Sequence, residues 1–295
     1  EMYLKLPIKE LPYNPFGSLT EDQKKEVIDY CFHDVWATSM VYWRFGSGEQ
    51  KTKYHTLPAR KAILEAEWPS SLGFKFDRTA QAVAAGIIYQ SNEPIPPKTS
   101  DPLQLFDLEQ FDVPTEVKDI IKLLARTVAI TEKEKKELAE KCVYRGIQLG
   151  KGGCHYIVPG LHEGLYCFDV ASQYPRAIEH WNLLKTPMAL ARWREMMDKR
   201  FSIKAKKGTP EYKPDLDLGY KVLVLNALSG GFRIRTGASV AYDPAVGEAM
   251  CYICQLCIIE LALACPNFED VIEINTDSVF VRGVENAKKL REKCE

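Results

Sequence analysis

The sequence predicts an α/β (α+β) fold, an antiparallel sheet packed with helices, and three observations carry that reading. Val271-Ile272-Glu273-Ile274 and Val279-Phe280-Val281 are β-rich runs about a polar tip, Asn275-Thr276-Asp277-Ser278, which is a hairpin pattern. Leu165-Tyr166-Cys167-Phe168 is a further apolar strand, ending at Asp169. Between the two lie helical stretches, a basic one from Arg192 to about Lys207 and an apolar one from about Leu218 to Leu228. With 46% hydrophobic and 27% charged residues over 295 positions, the chain has apolar side chains enough for more than one core, which excludes disordered and fibrous classes.

At the start, Pro12, Pro15 and Gly17 mark a turn, and Thr20 is placed to cap a helix running through Val27, Tyr30 and Trp36. Lys51 to about Cys142 alternates short helical stretches with loops, the clearest being Glu93-Pro94-Ile95-Pro96-Pro97, and reads as a connecting region whose residues point to no particular chemistry. A glycine-rich turn at Gly150-Lys151-Gly152-Gly153 precedes the strand that ends at Asp169, and a loop spans Gly208 to Pro214. Cys251-x-x-Cys254-x-x-Cys257, with Cys265 beyond, partly echoes an iron–sulfur ligand run. The spacers lack Gly and Pro and the fourth Cys is distant, so a buried helix with small apolar cysteines explains the run better. His155 and His162 are read as structural. The final charged run (Lys288, Lys289, Arg291, Glu292, Lys293) reads as an unfinished amphipathic helix, and with Glu1 in place of an initiator Met the expectation is a fragment of a longer protein.

Lys and Arg total 39 against 40 Asp and Glu, a formal charge of −1, so a nucleic-acid partner would have to be met by local patches. Nine cysteines without a secretory signal, and apolar runs interrupted by Gln255 and Glu260, predict a reduced, cytoplasmic protein with no membrane partner.

Asp169 at a strand end and Asp277 at a hairpin tip can each project a carboxylate from the edge of one sheet. Paired rigid carboxylates are what two divalent cations roughly 3.5–4 Å apart require. An isolated Asp at such a place is commonly only a turn residue. The neighbouring residues point to the chemical alternative. Asp169-Val170-Ala171-Ser172-Gln173-Tyr174-Pro175 resembles the first palm motif of family B DNA polymerases, D-x-x-S-L-Y-P, with Gln173 in place of Leu. The resemblance implies that Asp169 is a metal ligand, that the turn through Ser172 meets the triphosphate, and that Tyr174 packs under the sugar and excludes a ribose 2′-hydroxyl. Glu273-Ile274-Asn275-Thr276-Asp277-Ser278 resembles the third palm motif, Y-x-D-T-D-S, with Asn275 where many relatives carry a first Asp. Asp277 matches the second.

Arg200 and Lys204, four apart and so on one helix face, together with Lys221, resemble the fingers cations that hold the triphosphate in that family. A solvated basic face beside Lys199, Lys206 and Lys207 is the alternative for Lys204. Lys221 to Gly230 resembles the motif K-x-x-x-N-S-x-Y-G through Lys221 and Asn226, with Ser229 at the Tyr position. Lys221 is one residue too far from Asn226, which on an ideal helix rotates it by about 100°. Gly152 and Gly153 resemble the linker glycines whose backbone approaches the template. Tyr30 and Asp34 resemble the last exonuclease motif, Y-x-x-x-D.

The resemblance, to a divergent phage-like branch, implies a polymerase palm with antiparallel sheet and helices, short helical fingers and a partial RNase H-like exonuclease remnant. It divides the chain into the end of a 3′–5′ exonuclease domain (1–50), a helical connecting region (51–148), palm (149–190), fingers (191–232) and more palm (233–295), without a thumb. It also implies two Mg²⁺ ions, with Mn²⁺ as a substitute, and as partners primer-template DNA, dNTPs and a protein primer or replication accessory proteins. Two competitors stand beside it. One is a reverse-transcriptase-like palm enzyme, whose hairpin usually carries adjacent acids. The other is a non-catalytic nucleic-acid-binding remnant.

Overall fold

The computed structural model describes residues 17–46, 56–69, 79–90, 101–127, 131–233 and 241–294. Helices are combined with a six-stranded, wholly antiparallel sheet, so the predicted α+β class holds. The strands are β1 (Val143–Tyr144), β2 (Ile147–Gln148), β3 (His155–Ile157), β4 (Leu165–Asp169), β5 (Val271–Asn275) and β6 (Ser278–Arg282). They lie in the order β1-β2-β3-β5-β6-β4, so β4, early in the chain, is the edge strand beside the late hairpin β5–β6.

The hairpin alternates as its sequence does. Ile274, Val279 and Val281 are buried, while Glu273, Asn275 and Arg282 on the opposite face are open to varying degrees. The buried face is covered by α10 (Pro244–Leu263) and α11 (Val284–Cys294). Asp243 caps α10 by accepting from the Val246 amide, and Pro244 takes the first helical position, where a missing N–H costs nothing. Lys185 Nζ lies 3.5 Å from the buried Asp243 carboxylate. Among the described residues α10 is the one helix long and apolar enough to cross a membrane, and here it is the centre of the core. The cysteine run falls in it: Cys251 and Cys254 are buried as small apolar residues, and Cys257 faces out.

Before the sheet come α1 (Glu21–Gly46), α2 (Thr56–Glu67), α3 (Ala80–Tyr89), α4 (Thr115–Arg126) and α5 (Glu132–Lys141). Thr20 caps α1 as expected, with reciprocal bonds: its Oγ1 accepts from the Gln23 amide and its own amide donates to Gln23 Oε1. In α4, Val117, Ile120, Ile121 and Leu124 form one buried stripe.

After β4 come α6 (Gln173–His180), α7 (Pro187–Ala205), α8 (Pro214–Leu218), a π-helical stretch (Gly219–Asn226) and α9 (Ala227–Gly231). Two expectations are corrected. The basic helix begins at Pro187 rather than Arg192, because Thr186 accepts from the Ala189 amide and Pro187 starts the first turn. The apolar helix expected over 218–228 is divided, and its centre is π-helical rather than α-helical. This group packs on α2 and α3. Gly219 makes the approach to α2 feasible, since a Cβ there would stand 2.9 Å from the Ala59 carbonyl oxygen. Arg192 donates to the Ile88 and Tyr89 carbonyls, satisfying the open C-terminal end of α3.

Candidate active site

β4 and β6 pair so that Asp169 stands opposite Ser278. One residue further, the Val170 amide donates to the Asp277 carbonyl at 2.8 Å. Two acidic residues more than one hundred residues apart in sequence are thereby brought together in backbone register at one end of the sheet, and both are exposed. Across the strands the same register forms a row, His155 opposite Asn275, Asn275 opposite Ser278, Ser278 opposite Asp169. His155, read from sequence as structural, is an exposed member of that row.

The tip itself turns on Thr276, which takes a left-handed backbone conformation at φ 55°. Its amide donates to the Cys154 carbonyl at 3.0 Å. Gly153 packs directly on its side chain, for a Cβ on Gly153 would stand 2.4 Å from Thr276 Oγ1. The packing therefore requires a glycine at 153. At Gly152 a Cβ would enter open space, so the two glycines are not equivalent.

Burial and then the negative fields of Asp169, Glu273 and Asp277 push the Cys167 thiol up. Cys167 thus senses three carboxylates on the open face. Among the described residues no group of three or more His, Cys, Asp or Glu side chains is gathered closely enough to cage a metal ion. The donor set nevertheless fits Mg²⁺, which is commonly held by one or two carboxylates plus substrate phosphates rather than by an all-protein cage.

Ser172 also has a left-handed backbone, φ 58°, and opens α6. Its hydroxyl accepts from Arg200 Nη1 at 2.6 Å. Arg200 is buried, its Nε lies 3.4 Å from Asp217 Oδ1, and Asp217 accepts from the Tyr212 hydroxyl at 2.8 Å. Phe201 is stacked by two guanidinium groups, with Arg176 at 4.7 Å and Arg200 at 5.6 Å from its ring centre. Spacing put Arg200 and Lys204 on one helical face, but their environments differ: Arg200 is inside, bonded to the turn after Asp169, and Lys204 is in solvent near the end of α7.

Lys221 and Asn226 are both exposed on the π-helical stretch. There the repeat is i to i+5, so the additional residue between them is absorbed and the expected rotation away from Asn226 does not arise. Gln173, the departure from the first motif, is buried and donates to the Cys254 carbonyl at 3.1 Å, tying α6 to α10. Tyr174 is half-buried, and burial, then nearby Cys251, Cys254 and Asp277, push its phenol well above the ordinary value. Trp193 of α7 donates from Nε1 to the Pro175 carbonyl at 3.1 Å. Tyr30 and Asp34 lie one turn apart on α1, which packs on α2.

The chain matches no protein-family model and no curated protein.

Proposed function

We propose that this protein is a template-directed DNA polymerase of the family B kind, adding deoxynucleotides to a primer 3′ end. The observation that carries the reading is the β4–β6 register, which makes Asp169 and Asp277 neighbours at one open sheet end. On this reading the sheet with α6 and α10 is the palm, and α7 to α9 are short fingers.

Asp169 and Asp277 would hold Mg²⁺, or Mn²⁺ in its place, together with the phosphates of the incoming nucleotide. Bound there, the metal would supply a more acidic primer hydroxyl and charge neutralisation on the triphosphate. The chain's own residues position the reactants for in-line attack of the 3′-hydroxyl on the α-phosphate of a dNTP. Arg200, held against Ser172, presents a fixed cation beside the turn that follows Asp169. Lys221 and Asn226 extend the polar surface on the π-helical stretch, and Lys204 adds solvent-exposed positive charge. Tyr174, anchored by its burial, supplies the wall that rejects a 2′-hydroxyl. Gly152 and Gly153 offer backbone to the template, and Tyr30 and Asp34 belong to the end of an exonuclease domain. A cytoplasmic replication role, in a phage or its host, follows from the same reading.

The experiment is primer extension by the full chain on a DNA template with Mg²⁺ and dNTPs, beside Asp277→Asn. Template-matched incorporation that is lost in the variant, with primer-template binding kept, supports the proposal. Binding with no metal-dependent turnover in the unsubstituted protein would instead identify a non-catalytic nucleic-acid-binding protein. Preference for an RNA template would favour the reverse-transcriptase-like alternative.

A further inference from the structure

We propose that Gln255 is a positioning residue for Asp277, acting through the glycine loop 150–153. The catalytic meaning of Asp277 rests on the polymerase reading; the mechanical coupling does not.

Gln255 sits in the middle of α10 and is wholly buried. A buried amide is costly unless its hydrogen bonds are made. Here they are made to the loop. Nε2 donates to the Gly150 and Gly152 carbonyls, each at 2.8 Å, and Oε1 accepts from the Gly150 amide at 3.2 Å. The same helix holds the loop a second time through Glu248, whose carboxylate lies 3.0 Å from Lys151 Nζ. Gln255 and Glu248 thus set the height of the loop over α10, Gln255 by its bonds to the loop backbone and Glu248 by its ion pair with Lys151.

The loop passes that position on to the hairpin tip. Gly153 meets Thr276 with no room for a methyl group, and the Cys154 carbonyl accepts the Thr276 amide. Thr276 holds a left-handed conformation that a β-branched residue takes only when its surroundings impose it. The residue that follows is Asp277. On the other side Gln173 ties α6, and with it the turn after Asp169, to the carbonyl of Cys254, the residue next to Gln255. One turn of α10 is therefore the common floor beneath both carboxylate-bearing elements. In sequence Gln255 looks only like an interruption in an apolar run.

The test is Gln255→Met, which keeps the volume and removes the amide, made in the full chain. Residue-resolved hydrogen exchange reports the amides of Thr276 and Val170, with those of Ile121 and Leu124 in α4 as the reference for global opening. Exchange at Thr276 and Val170 should rise about tenfold or more while α4 is unchanged. The Mg²⁺ concentration for half-maximal extension should rise several-fold. Faster exchange confined to 150–152, or an equal rise in α4, would overturn the proposal, because either makes Gln255 a merely structural residue. Should Gln255→Met not fold, Gly153→Ala perturbs the relay from its other end. It should raise Thr276 exchange and the Mg²⁺ midpoint, and Gly153→Ala with Thr276→Gly should reverse both; wild-type behaviour of Gly153→Ala alone would overturn the relay. If the unsubstituted protein extends no primer yet the exchange pattern is as described, the polymerase reading fails and the coupling stands.

Discussion

The Val170 amide donates to the Asp277 carbonyl at 2.8 Å, so the residue after one carboxylate is bonded to the backbone of the other. The backbone that carries one acid is thereby tied to the backbone that carries the other. Groups that act as a unit show strongly non-additive losses on substitution. Asp169→Asn and Asp277→Asn should each lower primer extension by roughly 10³-fold or more, several kcal/mol of lost charge stabilisation. The double variant should be little worse than either single one. Single-turnover rates at saturating Mg²⁺ check this, and additive losses would separate the two carboxylates.

Arg200 is a buried cation opposite Asp217, and removing one member of such a pair strands the other. Arg200→Ala should therefore destabilise the fold by about 3–5 kcal/mol, measured by denaturant unfolding. Arg200→Lys keeps charge but loses the fork that serves Ser172 and Asp217 together. It should fold and should raise the KM for dNTP several-fold more than it lowers affinity for primer-template.

Trp193 is fully buried between α7 and α6, and its indole donates to the carbonyl directly after Tyr174. Trp193→Phe should cost about 1–3 kcal/mol, the penalty of leaving the Pro175 carbonyl unpaired. The variant should also incorporate ribonucleotides more readily, since Tyr174 loses a neighbour that fixes its backbone. Unfolding midpoints and the ratio of rNTP to dNTP incorporation report the two effects.

Cys167 offers a reading of the carboxylate field that does not depend on activity. Its thiol is held up by burial and by the fields of Asp169, Glu273 and Asp277, and the thiolate is the reactive form. Removing a negative charge must lower that thiol's pKa, so Asp169→Asn and Asp277→Asn should each shift the pH profile of Cys167 alkylation to lower pH. At a fixed, mildly alkaline pH, peptide-resolved alkylation of Cys167 should be faster in both variants, with Cys31, likewise exposed, as the control. An unchanged profile would place the carboxylates out of range of the thiol.

What the sequence made legible was periodic or punctuated. The alternation of Val271 to Val281 marked β5 and β6, the apolar run before Asp169 marked the edge strand β4, and Thr20 marked the start of α1. β1, β2 and β3 were not legible, because two or three residues carry no measurable period. The π-helical stretch left a signal, one residue too many between Lys221 and Asn226, but an α-helical yardstick turns that signal into a displaced lysine. Equal spacing could not separate Arg200 from Lys204, since the burial of Arg200 goes with its partners Asp217 in α8 and Ser172 in the turn before α6, which spacing within α7 does not report. Gln255 was invisible for the same reason: its role is defined by the backbone of a loop about one hundred residues earlier.

Whether Asp169 and Asp277 form one metal site is tested most directly by Mn²⁺ binding followed by electron paramagnetic resonance with dNTP and primer-template present. Nucleotide-dependent binding is expected, lost in Asp169→Asn and equally lost in Asp277→Asn, with both variants folded. Binding that survives either substitution at wild-type strength would contradict a shared site and, with it, the polymerase reading.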